Sequence, residues 1–193
     1  MSDAVAPQPV LYIVGFAAGP LLQIRGLVVA ARRRGWDACL IVTPTAARWL
    51  EADLPALAEL TGHPVRSAYK LPGEPDVLPP PDAVLAVPVT CNSINKWAAG
   101  ISDTLALGLV TEAIGKCLPM TAVPSVNRDQ ARHPAYGPSL DRLRAAGVTV
   151  LLDDEGHSVQ RSDPDDHATY PWDLALNTLS PVAFHPGSPA DLV

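Results

Sequence analysis

The feature that most narrows the possible folds is a run of five apolar residues, Ala83-Val84-Leu85-Ala86-Val87, followed at once by a polar stretch and a helical pattern. A strand exposed on one face alternates apolar and polar residues, whereas a strand covered on both faces does not. The run is therefore predicted as a buried strand of a parallel sheet. Similar runs occur at Val10–Val14, Cys39–Val42, Leu118–Val123 and Val148–Leu152. Between them lie stretches of helical spacing: Pro20–Arg34, where Leu21, Ile24, Val28 and Ala31 recur, then Ala46–Glu51, Leu54–Leu60, Ile94–Ile114 and Leu140–Ala146. Strands alternating with helices predict an α/β fold, a doubly wound parallel sheet of Rossmann-like or flavodoxin-like type with right-handed crossovers.

The chain of 193 residues suits a single domain, read as an N-terminal arm over 1–9, a ligand-binding α/β domain over 10–153 and a proline-bearing C-terminal extension over 154–193. One short helix, Pro171–Leu179, is expected in the extension, with Trp172 as its anchor. Prolines at 64, 72, 75, 79, 80 and 81 exclude a long helix or a central strand from His63 to Pro81. A net charge of −6 argues against a nucleic-acid partner. No apolar run reaches membrane-spanning length and no basic-then-apolar leader is seen, so a cytoplasmic protein with no membrane partner is expected. Cys39, Cys91 and Cys117 have neither disulfide nor zinc spacing, and His157, His167 and His185 lack ligand spacing, so no metal is expected.

The chemistry is concentrated where strands end and helices begin, the edge at which open α/β sheets bind ligands. After Val87 come Pro88, Thr90, Asn92, Ser93, Asn95 and Lys96, rich in amides and hydroxyls and free of any acid–base pair. That set suits a planar heteroaromatic ligand with alternating donors and acceptors, such as a flavin. After Val14 comes the small-residue turn Gly15-Phe16-Ala17-Ala18-Gly19, which lets backbone N–H groups approach a phosphate or makes a plain tight turn. Thr43 and Thr45 stand at a second strand end, where Thr45 caps a helix or binds phosphate.

The segment Pro88 to Leu105 resembles the motif of the flavin-containing cysteine decarboxylases, the family of phosphopantothenoylcysteine decarboxylase and the lantibiotic peptidyl-cysteine decarboxylases. Pro88, Thr90, Asn92, Lys96, Ala98, Gly100, Ile101, Asp103 and Leu105 match that motif in order. The resemblance implies FMN as cofactor, with FAD as the alternative, held by Gly15, Phe16, Ala17, Thr43, Thr45, Pro88, Thr90, Asn92, Ser93, Lys96 and Asp103. It implies a small-molecule or peptide thiol substrate contacted by Asn92 and Asn127. It also implies a homotrimer or dodecamer with the flavin between subunits. The family reaction oxidises the cysteine side chain to a thioaldehyde, after which carbon dioxide leaves and an enethiolate remains. Pro124 and Asn127 match the substrate clamp, whereas Val126 replaces its methionine. The family histidine that precedes the motif strand aligns near Glu74, so Glu74 is either a substitute base beside Asn92 or a solvated loop acid. The missing histidine leaves an alternative, an FMN-binding protein of this fold without decarboxylase activity.

Overall fold

The computed structural model describes residues 7–153, 170 and 172–180. The first six residues, His157, His167, His185 and the last thirteen residues lie outside them. Five strands form one parallel sheet: β1 Val10–Gly15, β2 Asp37–Val42, β3 Ala83–Val89, β4 Met120–Pro124 and β5 Val148–Val150. Their order is β2-β1-β3-β4-β5, the flavodoxin-like arrangement. Register is set by pairs such as Tyr12 with Cys39 and Tyr12 with Val84.

Successive side chains point to opposite faces, and both faces are buried. Leu11 and Ile13 join one apolar cluster and Val10, Tyr12 and Val14 the other. The first cluster is closed by α1 Ile24–Arg33, α3 Leu54–Thr61 and α8 Trp172–Asn177. The second is closed by α4 Cys91–Ala98, α5 Leu105–Gly115 and α7 Tyr136–Ala145. Helix α8 is held by buried Ala175 and Leu176, and beside it the Tyr170 hydroxyl donates to the Val123 carbonyl at 2.9 Å. Two short helices, α2 Pro44–Trp49 and α6 Arg128–Ala131, follow β2 and β4.

The structure corrects two expectations. The helix expected over Ile94–Ile114 is two helices joined by an elbow. Gly100 has φ of 72°, and its N–H and that of Ile101 turn back to the carbonyls of Trp97 and Lys96 at 2.9 Å each. This closes α4 with a left-handed glycine cap. Thr104 then starts α5 by accepting from the Leu107 N–H at 3.3 Å. Ile101 is exposed in the elbow, and Asp103 lies there too rather than within a helix. The second correction is that β3 runs on to Val89, past its expected end at Val87. Its pairing moves from Ala86 with Ala122 to Val89 with Pro124, three steps against two. Pro88 sits in that bulge, where the ladder does not need its missing N–H.

The segment from Ser67 to Asp82 crosses one sheet face as an arch without helix or strand, as its prolines predict. Tyr69 donates its hydroxyl to the Ser102 and Thr104 carbonyls at 3.2 and 3.1 Å, and Tyr12 donates to the Pro79 carbonyl at 2.8 Å. Beneath the arch lies a cavity of about 500 Å³ walled by Tyr12, Leu78, Leu105 and Leu109. Burial pushes the Tyr12 phenol up to about 12, so it stays a neutral donor.

Candidate functional site

The C-terminal edge of the sheet is laced by backbone hydrogen bonds. The Thr43 N–H donates to the Gly15 carbonyl at 3.0 Å, Phe16 N–H to the Pro88 carbonyl at 3.1 Å, and Ser125 N–H to the Val89 carbonyl at 2.8 Å. The loops after β1, β2, β3 and β4 therefore stand side by side. Helices leave β1 and β3 towards opposite faces, so the switch point at which such sheets form a ligand crevice lies between these adjacent strands.

Gly15 allows the first two loops to approach. A Cβ added there would stand 2.8 Å from Leu21 Cδ1 and 3.2 Å from Val42 Cγ1. Phe16 is fully buried, and the half-buried Ala17, Ala18 and Gly19 carry no side-chain hydroxyl. This loop can meet a ligand only through its backbone. Thr43 caps α2, accepting from the Ala46 N–H at 3.3 Å, while the exposed Thr45 accepts from Arg48 at 3.3 Å.

On the third loop, Thr90 caps α4. Its hydroxyl accepts from the Ser93 N–H at 3.2 Å and donates to Ser93 Oγ at 3.0 Å, so the two side chains satisfy each other. Asn92, between them in sequence, is exposed, and its side chain makes no hydrogen bond among the described residues. Lys96 and Asp103 pair with each other across the elbow. Asn127 caps α6 through Oδ1, which accepts from the Gln130 N–H at 2.8 Å; its amide nitrogen is left as a donor. Glu74 lies in the exposed arch, where its carboxylate accepts from the Leu71 N–H at 2.8 Å.

The structure thus gathers Gly15, Phe16, Ala17, Thr43, Thr45, Pro88, Thr90, Asn92, Ser93 and Asn127 on the loops of one sheet edge. Lys96 stands one turn along α4, with Asp103 across the elbow. Sequence reasoning did not find the contact between Cys91 and α6, where the thiol donates to the Gln130 carbonyl at 3.9 Å. Only Asn127, a cap residue before a polar stretch, hinted that α6 exists.

Cys91 is buried at 9% exposure, and burial pushes its thiol up, an Asn95 N–H contact opposing this in part. Burial pushes the Cys39 thiol up to about 12. Neither presents a thiolate near neutral pH. Iodoacetamide is therefore expected to label the exposed Cys117 in the folded chain and to reach Cys39 and Cys91 only after unfolding. Rapid labelling of Cys91 in the native protein, read by peptide mass spectrometry, would contradict this account.

A flavin fits these residues. The first loop offers backbone beside a glycine whose enlargement would crowd Leu21 and Val42, and the third carries an unengaged amide. Residues 20–170 match the model of the Flavoprotein family, and the chain belongs to that family. A cysteine/cysteine sulfinic acid decarboxylase of an unknown prokaryotic organism is 34% identical over 70 residues, 36% of this chain and 19% of that protein. The coenzyme A biosynthesis bifunctional protein CoaBC of Thermococcus kodakarensis is 30% identical over 115 residues, 60% of this chain and 27% of that one. The chain spans about a fifth to a quarter of the length of these curated relatives. Among solved structures, the FMN-dependent cysteine decarboxylase SpaF superposes with a TM-score of 0.65 at 17% identity, over 76% of this chain and 85% of that one, a likeness of fold. Among the described residues no helix is long and apolar enough to cross a membrane, and no group of three His, Cys, Asp or Glu side chains is placed to hold a metal.

Proposed function

We propose that this member of the Flavoprotein family binds FMN and decarboxylates a thiol substrate with a cysteine-like end, of the peptidyl C-terminal cysteine or phosphopantothenoylcysteine type. The observation that carries the reading is the unengaged Asn92 amide on the first turn of α4, beside the crevice of a flavodoxin-like sheet. Bound FMN supplies the two-electron acceptor that this chemistry needs and protein side chains lack. The backbone N–H of Ala17, beside Gly15 and Phe16, with the hydroxyls of Thr43 and Thr45, would hold its phosphate. Pro88, Thr90 and Ser93 would form the wall against its ring. Lys96 and Asp103, locked to each other, would fix the elbow behind that wall.

The Asn92 amide N–H donates to the substrate carboxylate and orients its carbon–carbon bond for cleavage. Asn127, with its oxygen committed to α6, holds the substrate through its amide nitrogen. Glu74 is engaged by its own loop, and we route no proton through it. That engagement, with no histidine at its position, favours a second reading: an FMN-binding subunit of this fold without decarboxylase activity. The exposed Tyr69, Leu71 and Val77 of the arch support a homo-oligomer under either reading.

Purified chain incubated with FMN is expected to retain flavin absorbance through gel filtration. With a peptide ending in cysteine, or with phosphopantothenoylcysteine, it is expected to yield a product lighter by carbon dioxide, with or without two hydrogens. Retained flavin and no mass change over a panel of such thiols would select the second reading. Failure to retain flavin would sink both.

A further inference from the structure

The loops that follow β1 to β4 at this sheet edge are poor in acid for a chain with a net charge of −6. Over residues 15–20, 43–46, 88–96 and 124–132 the sequence holds one acid, Asp129, against Lys96, Arg128 and Arg132. Lys96 is paired with Asp103. Arg128 is exposed and joins no ion pair among the described residues. Arg132 meets Asp129 only at 3.9 Å, with the two side chains 70% and 94% exposed. Two arginines are therefore left available on one short element.

That element is fixed against the site. The Ser125 N–H is bonded to the Val89 carbonyl at 2.8 Å, and the Cys91 thiol reaches the Gln130 carbonyl at 3.9 Å. Helix α6 thus leans on the first turn of α4, where Asn92 stands. Arg128 and Arg132 are four residues apart, and Arg132 keeps helical backbone angles, so both project from one side of α6. The loop after β1 is two strands from β4, about 10 Å at the spacing of a sheet. These arginines thus stand on a loop separate from the first one.

We infer that Arg128 and Arg132 select thiol substrates carrying a second anionic group close to the cysteine-like end. The inference rests on the crevice being the substrate site proposed above. The group is a carboxylate or a phosphate, which arginine recognises with the same paired N–H donors. Both arginines are exposed, so the effect is one of preference rather than of absolute requirement.

The test measures binding and turnover separately, on the full chain with added FMN. Two fluorescein-labelled pentapeptides differ only in Asp or Asn before a C-terminal cysteine. At low salt the Asp peptide is expected to bind about fivefold more tightly by fluorescence anisotropy, the ratio an exposed charge pair gives. The ratio shrinks as salt is added. It falls to parity in the double variant Arg128→Gln, Arg132→Gln and persists in Arg144→Gln, which removes an arginine of α7. A second pair of labelled pentapeptides, with phosphoserine or serine before the C-terminal cysteine, shows whether phosphate rather than carboxylate is preferred, and a preference in either arm that the double variant abolishes supports the inference. Parity in both arms, a preference that survives the double variant, or no binding of any of these ligands overturns it. Product mass is read in parallel. Charge preference without decarboxylation sinks the catalytic reading alone, and decarboxylation without charge preference sinks only this one.

Discussion

Alanine at position 92 is expected to lower decarboxylation about a hundredfold, the scale of losing one hydrogen-bond donor aimed at the reacting group, while flavin affinity falls far less. The size of the effect follows from what Asn92 does not do. It is exposed on the first turn of α4 and supports no other group among the described residues. Its removal should leave folding within about 0.5 kcal/mol, as for surface positions in general. Thr90 makes the contrast. Its hydroxyl caps α4 and satisfies Ser93, so Thr90→Ala should cost about 1 kcal/mol of stability whatever happens to turnover. Asn92→Asp separates donor from shape: it keeps the size of the side chain but sets a negative charge against the substrate carboxylate, and should be no better than alanine. The measurement is turnover of a peptide ending in cysteine, beside the flavin dissociation constant for each variant. Wild-type turnover in Asn92→Ala would remove the residue from the mechanism.

The sheet was legible because its strands are covered on both faces. Continuous apolar runs such as Val10–Val14 and Ala83–Val87 have no other comfortable place, and all five proved to be strands. Local chemistry also marks the ends of helices, yet apolar spacing predicts a single helix from Ile94 to Ile114 where there are two. Gly100 and Thr104 carried the stop and start signals, but Ile101 continued the apolar spacing and masked them. Periodicity reports which positions are apolar, not whether the backbone between them turns. The site was legible by position because the strand ends converge in this topology. What each side chain does there was not. Nothing in the order Thr90-Cys91-Asn92-Ser93 says that Thr90 and Ser93 satisfy each other and leave Asn92 free. Contacts such as Cys91 with Gln130, or Tyr69 with the elbow, join residues more than thirty positions apart and leave no local trace.

Phe16 shows how the same residue can be read as ligand contact or as core, and its substitution should have the largest effect on stability. Sequence position puts it in the first loop, among the residues expected to touch the cofactor. The structure gives its side chain no exposure and places it in the apolar cluster with Val14, Val89 and Ile94, while its N–H holds the Pro88 carbonyl at 3.1 Å. Phe16→Ala should therefore cost about 3–5 kcal/mol, because the cavity left under the loop cannot collapse between two tied strands. That is a large share of the roughly 5–15 kcal/mol that a domain has in total. Phe16→Leu, which refills most of the volume, should cost less than about 1.5 kcal/mol. Both are measured by urea denaturation of flavin-free protein, since bound FMN would add its own stabilisation. The two readings then part cleanly. A packing role lowers the midpoint of Phe16→Ala before any flavin is present, and Phe16→Leu recovers most of it. An unchanged midpoint with sharply weakened flavin binding would put the ring against the cofactor and reverse the assignment.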